Sequence, residues 1–171
     1  MFEKSFETES HAERMAVLSR KIGEHMGLAQ DEITALELLS NLHDIGKISI
    51  DAGILSKPGK LTDDEWVQIK RHPEVGYRIT QVSPDLMHIS EYILSHHERW
   101  DGKGYPQGLK EKDIPLLSRI IAIVDSYDAM TQDRPYSKAK TLAQAKKEIL
   151  DNAGKQFDPV IAQLFVEKIL S

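Results

Sequence analysis

The 171-residue sequence predicts an all-α protein, a helical bundle with a metal site in its core. Three observations lead there. Apolar residues recur at helical spacing in nearly every segment, and no stretch alternates confidently as a strand would. Helix-start signals recur: Thr62 with Glu65, Thr141 with Gln144, and Asp158 before Pro159. Finally, the apolar stretch 33–42 runs into His43, Asp44 and Lys47. Three polar, titratable side chains at the end of such a helix cost free energy unless they find partners.

The elements follow in order. The first helix is expected over 7–26, with Met15, Leu18, Ile22 and Met26 on one stripe and Gly27 as its stop. A second covers 31–44, ended by Gly46. Residues 48–60 connect it to a capping box at Thr62 and Glu65. That helix ends near Arg71, because the residue before a proline is disfavoured in the α region. Pro73 opens another short helix, and a further one covers 85–97. Residues 98–114, with Gly102, Gly104, Pro106 and Gly108, form a long loop. Pro115 starts a helix over 115–130, Thr141 starts the next, and Asp158-Pro159 opens the last. No repeat or low-complexity linker splits the chain, so 1–171 reads as one domain.

Composition removes several classes of function. There is no cysteine, which excludes disulfides, thiolate metal sites and a cysteine nucleophile and fits a reducing compartment. The longest apolar run, 120–124, is far too short to span a membrane. The N-terminal residues lack a basic-then-apolar leader pattern, so a cytoplasmic location is expected. A net charge of −5 without a basic run argues against a binder of duplex DNA. Surplus carboxylates make sense beside an anionic substrate if some of them hold divalent cations, which reverse the local field.

His43 and Asp44 supply a neutral nitrogen ligand and an anionic oxygen ligand side by side. Lys47 shares their face if the stretch is helical. Asp125 follows the apolar run 120–124 and is expected to be buried, either on a metal or in a salt bridge to Arg119 or Arg134. Neighbouring His96 and His97 point about 100° apart on a helix, enough to reach two ions, or one ion and a substrate oxygen. His72 precedes Pro73 and is a ligand or a plain cap. Glu7 and His11 stand one turn apart, where a carboxylate and an imidazole can share one ion, or lie on a solvated face. His25 and His88 are assigned to the surface. The 98–108 loop carries Trp100 and Tyr105, poor choices for a floppy exposed connection.

The order His11, His43-Asp44, His72, His96-His97, Asp125 resembles the HD superfamily of metal-dependent phosphohydrolases. HDIGK at 43–47, RHPE at 71–74, HHERWDGKGYP at 96–106 and DRPY at 133–136 resemble its HD-GYP subfamily, over nearly the whole chain. The resemblance implies an all-α HD-type bundle and a bacterial phosphodiesterase that hydrolyses cyclic di-GMP to pGpG, GMP or both. Related cyclic dinucleotides such as cyclic GMP-AMP are substrates of some members. It implies a di-metal centre held by His43, Asp44, His72, His96, His97 and Asp125, with Asp44 bridging. His11 is then a further site residue, and Glu7 the ligand of a third ion. Lys47 contacts the scissile phosphate. Arg134 and Lys138, or Ser137 in place of Lys138, fall in the segment that helps hold substrate phosphates.

Two or three transition-metal ions are thus expected. Imidazole and carboxylate without thiolate suit iron, manganese, cobalt, nickel or zinc, and the resemblance favours iron or manganese. A hydroxide shared by two ions roughly 3.5–4 Å apart would attack phosphorus. Tyr105 or Trp100 packs near a guanine, or the loop docks GGDEF diguanylate cyclase domains. The competing readings are an HD phosphohydrolase acting on another nucleotide and a catalytically silent signalling or docking module.

Overall fold

The structure, a computed structural model, describes residues 9–133 and 138–171. Helices carry the described residues and no strand forms among them; one isolated bridge pairs Ala153 with Phe157. Helix α1, Glu9–Met26, stops as its glycine predicts: Gly27 has φ +70, and Leu28 N–H donates to the Gly23 carbonyl at 3.0 Å. Helix α2 is Gln30–Leu42. Both present apolar stripes inward, Met15 and Ile22 from α1, and Leu36 and Leu39 from α2. Each such side chain, fully buried, contributes about 1.5–3 kcal/mol.

The expected helix over 31–44 ends earlier, at Leu42, and a 3-10 turn follows over Ile45–Ser49. Gly46 is more than a stop. A Cβ there would lie 1.9 Å from the His72 carbonyl oxygen and 2.7 Å from Gly76 N. Only glycine lets this turn press its backbone onto the helix that begins at His72. The crossing carries Asp44 and Lys47 to His72.

Short helices α3, Ala52–Leu55, and α4, Asp63–Ile69, surround a satellite cluster of Ile50, Leu55 and Ile69. The Thr62–Glu65 capping box is formed in both directions. Helix α5 is His72–Gln81, with Pro73 in its first turn. The helix expected over 85–97 is much shorter: a 3-10 turn, Met87–Ile89, leads into α6, Ser90–Leu94. His96 and His97 sit in the turn beyond it. The His96 ring takes the Ile93 carbonyl at 2.6 Å, a local side-chain bond that competes with further helix.

Helix α7, Leu116–Thr131, runs through the core, burying Leu117, Ile120, Ile121, Ile123 and Val124. It packs on α1 and α2. Helix α8, Leu142–Asp151, starts at the Thr141–Gln144 box. Helix α9, Pro159–Leu164, is capped by Asp158, which accepts from Val160 N at 2.9 Å. A π-turn over Phe165–Ile169 closes the chain onto the core through Phe165. No helix among the described residues is long and apolar enough to cross a membrane.

Candidate metal centre

Three histidines stand where three helices stop. His43 follows α2, His72 follows α4 as it opens α5, and His96 follows α6. Each ring donates from Nδ1 to the carbonyl three residues back: His43 to Ser40 at 3.2 Å, His72 to Ile69 at 2.7 Å, His96 to Ile93 at 2.6 Å. Those carbonyls are among the orphan acceptors that every helix end leaves. A carbonyl only accepts, so the proton lies on Nδ1. A neutral ring then carries its lone pair on Nε2.

The freed nitrogens converge on Asp44. Oδ1 is 2.9 Å from His72 Nε2 and 3.7 Å from His96 Nε2. Oδ2 is 3.5 Å from His43 Nε2 and 2.5 Å from Lys47 Nζ. His72 Nε2 and His96 Nε2 are themselves 3.2 Å apart. Lone pairs therefore face lone pairs in a buried space, which only a shared cation or proton makes favourable. The donor set fits a divalent transition metal, with the carbonyl bonds behind the rings fixing their aim.

Two groups of ligand atoms result. Asp44, His72, His96 and His97 bring theirs within 4.8 Å of one another, and so do His11, His43 and Asp125. Asp44 lies between the groups, touching the second through His43. Seven of the eight expected ligands are thus brought together. The eighth, Glu7, lies outside the described residues, as do Arg134 and Ser137.

Electrostatics agree with this arrangement. Burial alone would raise the Asp44 pKa; the imidazoles around it and the Lys47 ammonium, taken together, outweigh burial and hold the carboxyl well below its usual range. Burial pushes His96 down to about 4 and His97 well below the usual histidine value. The two rings are therefore neutral near pH 7, as ligands must be.

Asp125 is not paired with Arg119, whose guanidinium binds Asp158 at 2.7 Å. The other expected partner, Arg134, lies outside the described residues; Asp125 also faces His11, Oδ1 to Nε2 at 3.8 Å. Behind His11 stands a residue the sequence reading missed. Buried Asp128 accepts from His11 Nδ1 at 2.6 Å and from both Nε and Nη2 of Arg14 at 2.5 and 2.8 Å. Burial would raise the Asp128 pKa, but the Arg14 and His11 hydrogen bonds lower it overall. The spacing held the signal: Asp128 is one turn after Asp125, and Arg14 one turn after His11.

The centre opens into a cleft lined by Lys47, His97, Arg99, Tyr105, Ser126 and Gln156, among others. Tyr105 stacks on His97 with centroids 4.9 Å apart at 25°. Trp100 does not line the cleft; its ring lies under the Arg119 guanidinium at 5.9 Å. Lys138 is exposed and is not among the lining residues. His25 and His88 are on the surface, as expected.

A family model described as "HD domain" matches residues 2–161. The chain is 44% identical over 166 residues to a cyclic di-GMP phosphodiesterase of Thermotoga maritima, covering 96% of this chain and 45% of that protein. It is 39% identical over 166 residues to a 3'3'-cGAMP-specific phosphodiesterase of Vibrio cholerae, covering 96% of this chain and 32% of that one. The chain thus spans less than half the length of these curated relatives. Among solved structures, a cyclic GMP-AMP-specific phosphodiesterase of V. cholerae superposes with a TM-score of 0.74 at 20% identity, over 95% of this chain and 44% of that one. At that identity the likeness shows the fold.

Proposed function

The chain belongs to the HD domain family, and from that premise we propose that it is a metal-dependent phosphodiesterase that hydrolyses cyclic di-GMP. The observation that carries the reading is the meeting of Asp44 with three imidazoles whose lone pairs are aimed at it by backbone carbonyls. We assign His72, His96 and His97 to one ion, His43, Asp125 and His11 to a second, and Asp44 to both. Iron or manganese is favoured, with cobalt, nickel or zinc as substitutes. Divalent ions bound there supply a water nucleophile at neutral pH and draw charge from the phosphoryl oxygens.

The chain's own groups do the rest. Lys47 Nζ, anchored on Asp44 at 2.5 Å and reaching the cleft, offers a fixed cation to a non-bridging phosphate oxygen. It needs no reorganisation as charge grows there. Tyr105 presents an aromatic wall where a nucleobase can stack. Its inward position supports a role in the cleft over one in docking a GGDEF domain. Glu7 as ligand of a third ion, and Arg134 and Lys138 as phosphate contacts, complete the proposed set.

A second reading, cyclic GMP-AMP as the preferred substrate, is supported by the relative of that specificity. One experiment tests both. The chain, purified anaerobically and analysed for metal, is given cyclic di-GMP, cyclic GMP-AMP and mononucleotides, and products are followed over time. Fastest turnover of cyclic di-GMP, to pGpG, GMP or both, is expected. A fully metallated chain that leaves both cyclic dinucleotides intact overturns the proposal.

A further inference from the structure

The loop after His97 is tied back onto its own start by one buried carboxylate. Glu98 is only 3% exposed. Its Oε1 accepts from Gln107 N at 2.7 Å and Gly108 N at 3.1 Å, and its Oε2 from Leu109 N at 3.0 Å. Three consecutive amides thus form a cradle for one anion. Burying a carboxylate is costly, and three backbone N–H bonds are what offset that cost.

What lies between the two ends matters for the centre. Gly104 sits so tightly on the loop's start that a Cβ would lie 2.5 Å from Arg99 N and 2.6 Å from the His97 carbonyl oxygen. Tyr105 N–H donates to that same carbonyl at 3.3 Å. The Tyr105 ring then covers the face of His97. The segment 99–106 is therefore a closed strap: Glu98 holds the far end, and the strap presses an aromatic ring onto an imidazole of the first ligand group.

We propose that Glu98 is a positioning residue of the metal centre, acting through Tyr105: by clamping the amides of Gln107, Gly108 and Leu109 it fixes the stack on His97 and with it the aim of that ligand. This rests on the phosphodiesterase reading for its effect on turnover, but not for its effect on metal binding. It also gives the buried glutamate beside the two histidines a use that needs no contact with substrate. Glu98→Gln is the informative variant, because it keeps the volume and one acceptor while turning an NH2 group towards amide donors.

The test uses the full chain, with cobalt(II) titrated against its visible absorption and amide hydrogen exchange followed in parallel. For Glu98→Gln we expect faster exchange at 107–109, unchanged exchange in α1, and cobalt binding weakened by about tenfold, as for other groups that orient a metal ligand. Turnover of cyclic di-GMP should fall with it, in kcat more than in KM. In a Tyr105→Ala background the same substitution should weaken cobalt binding by less than about twofold, since neighbours acting in one chain of contacts are not additive. Losses that multiply in the double variant, or cobalt binding unchanged while the amides exchange faster, overturn the proposal. If circular dichroism shows Glu98→Gln unfolded, Glu98→Asp carries the same cycle with the charge kept. A wild-type chain that binds cobalt but leaves cyclic di-GMP intact refutes the phosphodiesterase reading alone, and the cobalt cycle still judges Glu98.

Discussion

His72 Nε2 stands 2.9 Å from Asp44 Oδ1 while the other nitrogen of the ring is taken up by a helix carbonyl. Nδ1 donates to the Ile69 carbonyl at 2.7 Å. A contact this short between an imidazole nitrogen and a buried carboxylate needs a shared proton or cation between them. The pair marks one edge of the space proposed for the ions, and helix ends aim the rings towards it.

Removing the shared carboxylate should empty the centre and leave the bundle standing. Asp44→Ala or His43→Ala is expected to lose stoichiometric metal and to lower turnover by more than about a hundredfold, beyond what loss of an outer-shell group costs. Far-UV circular dichroism should be unchanged, because the core of Leu36, Leu39, Ile93 and Ile120 is not touched. Full metal content together with full turnover in either variant would sink the assignment.

Lys47→Met should separate metal from chemistry. Metal content is expected to persist, while kcat falls by about a hundredfold, the usual loss when one donor to a growing oxyanion is removed. Elemental analysis beside steady-state kinetics decides; a variant with wild-type kcat removes Lys47 from the reaction.

His11 owes its aim to Asp128. Asp128→Asn should weaken binding at the second group by about ten- to a hundredfold and leave the first group near its native affinity. Stepwise cobalt titration reads the two occupancies separately. Equal weakening of both would mean that Asp128 supports the fold rather than the ligand.

The metal-free chain should lose stability in mild acid. The folded His96 value of about 4 lies below the ordinary 6.5, so the unfolded chain binds the extra proton between those limits. Stability is therefore full above about pH 6.5 and declines as pH falls towards 4. The His96 contribution is on the order of 3 kcal/mol. Asp44, depressed below 3.8, adds a loss in the same direction at lower pH. Urea unfolding from pH 7 to 4 measures the slope, and a flat profile would contradict a neutral buried ring.

Two glycines should respond very differently to alanine. Gly46→Ala places a methyl group 1.9 Å from the His72 carbonyl oxygen and should cost about 3 kcal/mol or more, with metal affinity lost as the turn lifts off α5. Gly27→Ala meets nothing within 4 Å and suffers only its positive φ, about 1 kcal/mol. Comparable losses in the two would refute the close crossing.

The sequence by itself determined the helical class, most helix starts and the ligand types. Thr62, Thr141 and Asp158 each cap the amides next to them, and such signals act within one turn of chain. HD followed by Lys47, the His-His pair and Asp125 supply imidazole and carboxylate donors, and it is their resemblance to the family that points to metal chemistry. The tertiary structure alone decided which of the candidate ligands lie within reach of one another. It also decided that 31–44 and 85–97 end early, at histidines whose rings take helix carbonyls. Asp128 meets His11 across 117 residues of sequence, Gly46 meets His72 by backbone contact, and Glu98 closes a loop nine to eleven residues ahead. Spacing places Asp128 and Arg14 on the faces of Asp125 and His11 but cannot pair them, because propensity and capping are set by neighbours in the chain, whereas the aim of a side chain is set by whatever the fold packs behind it.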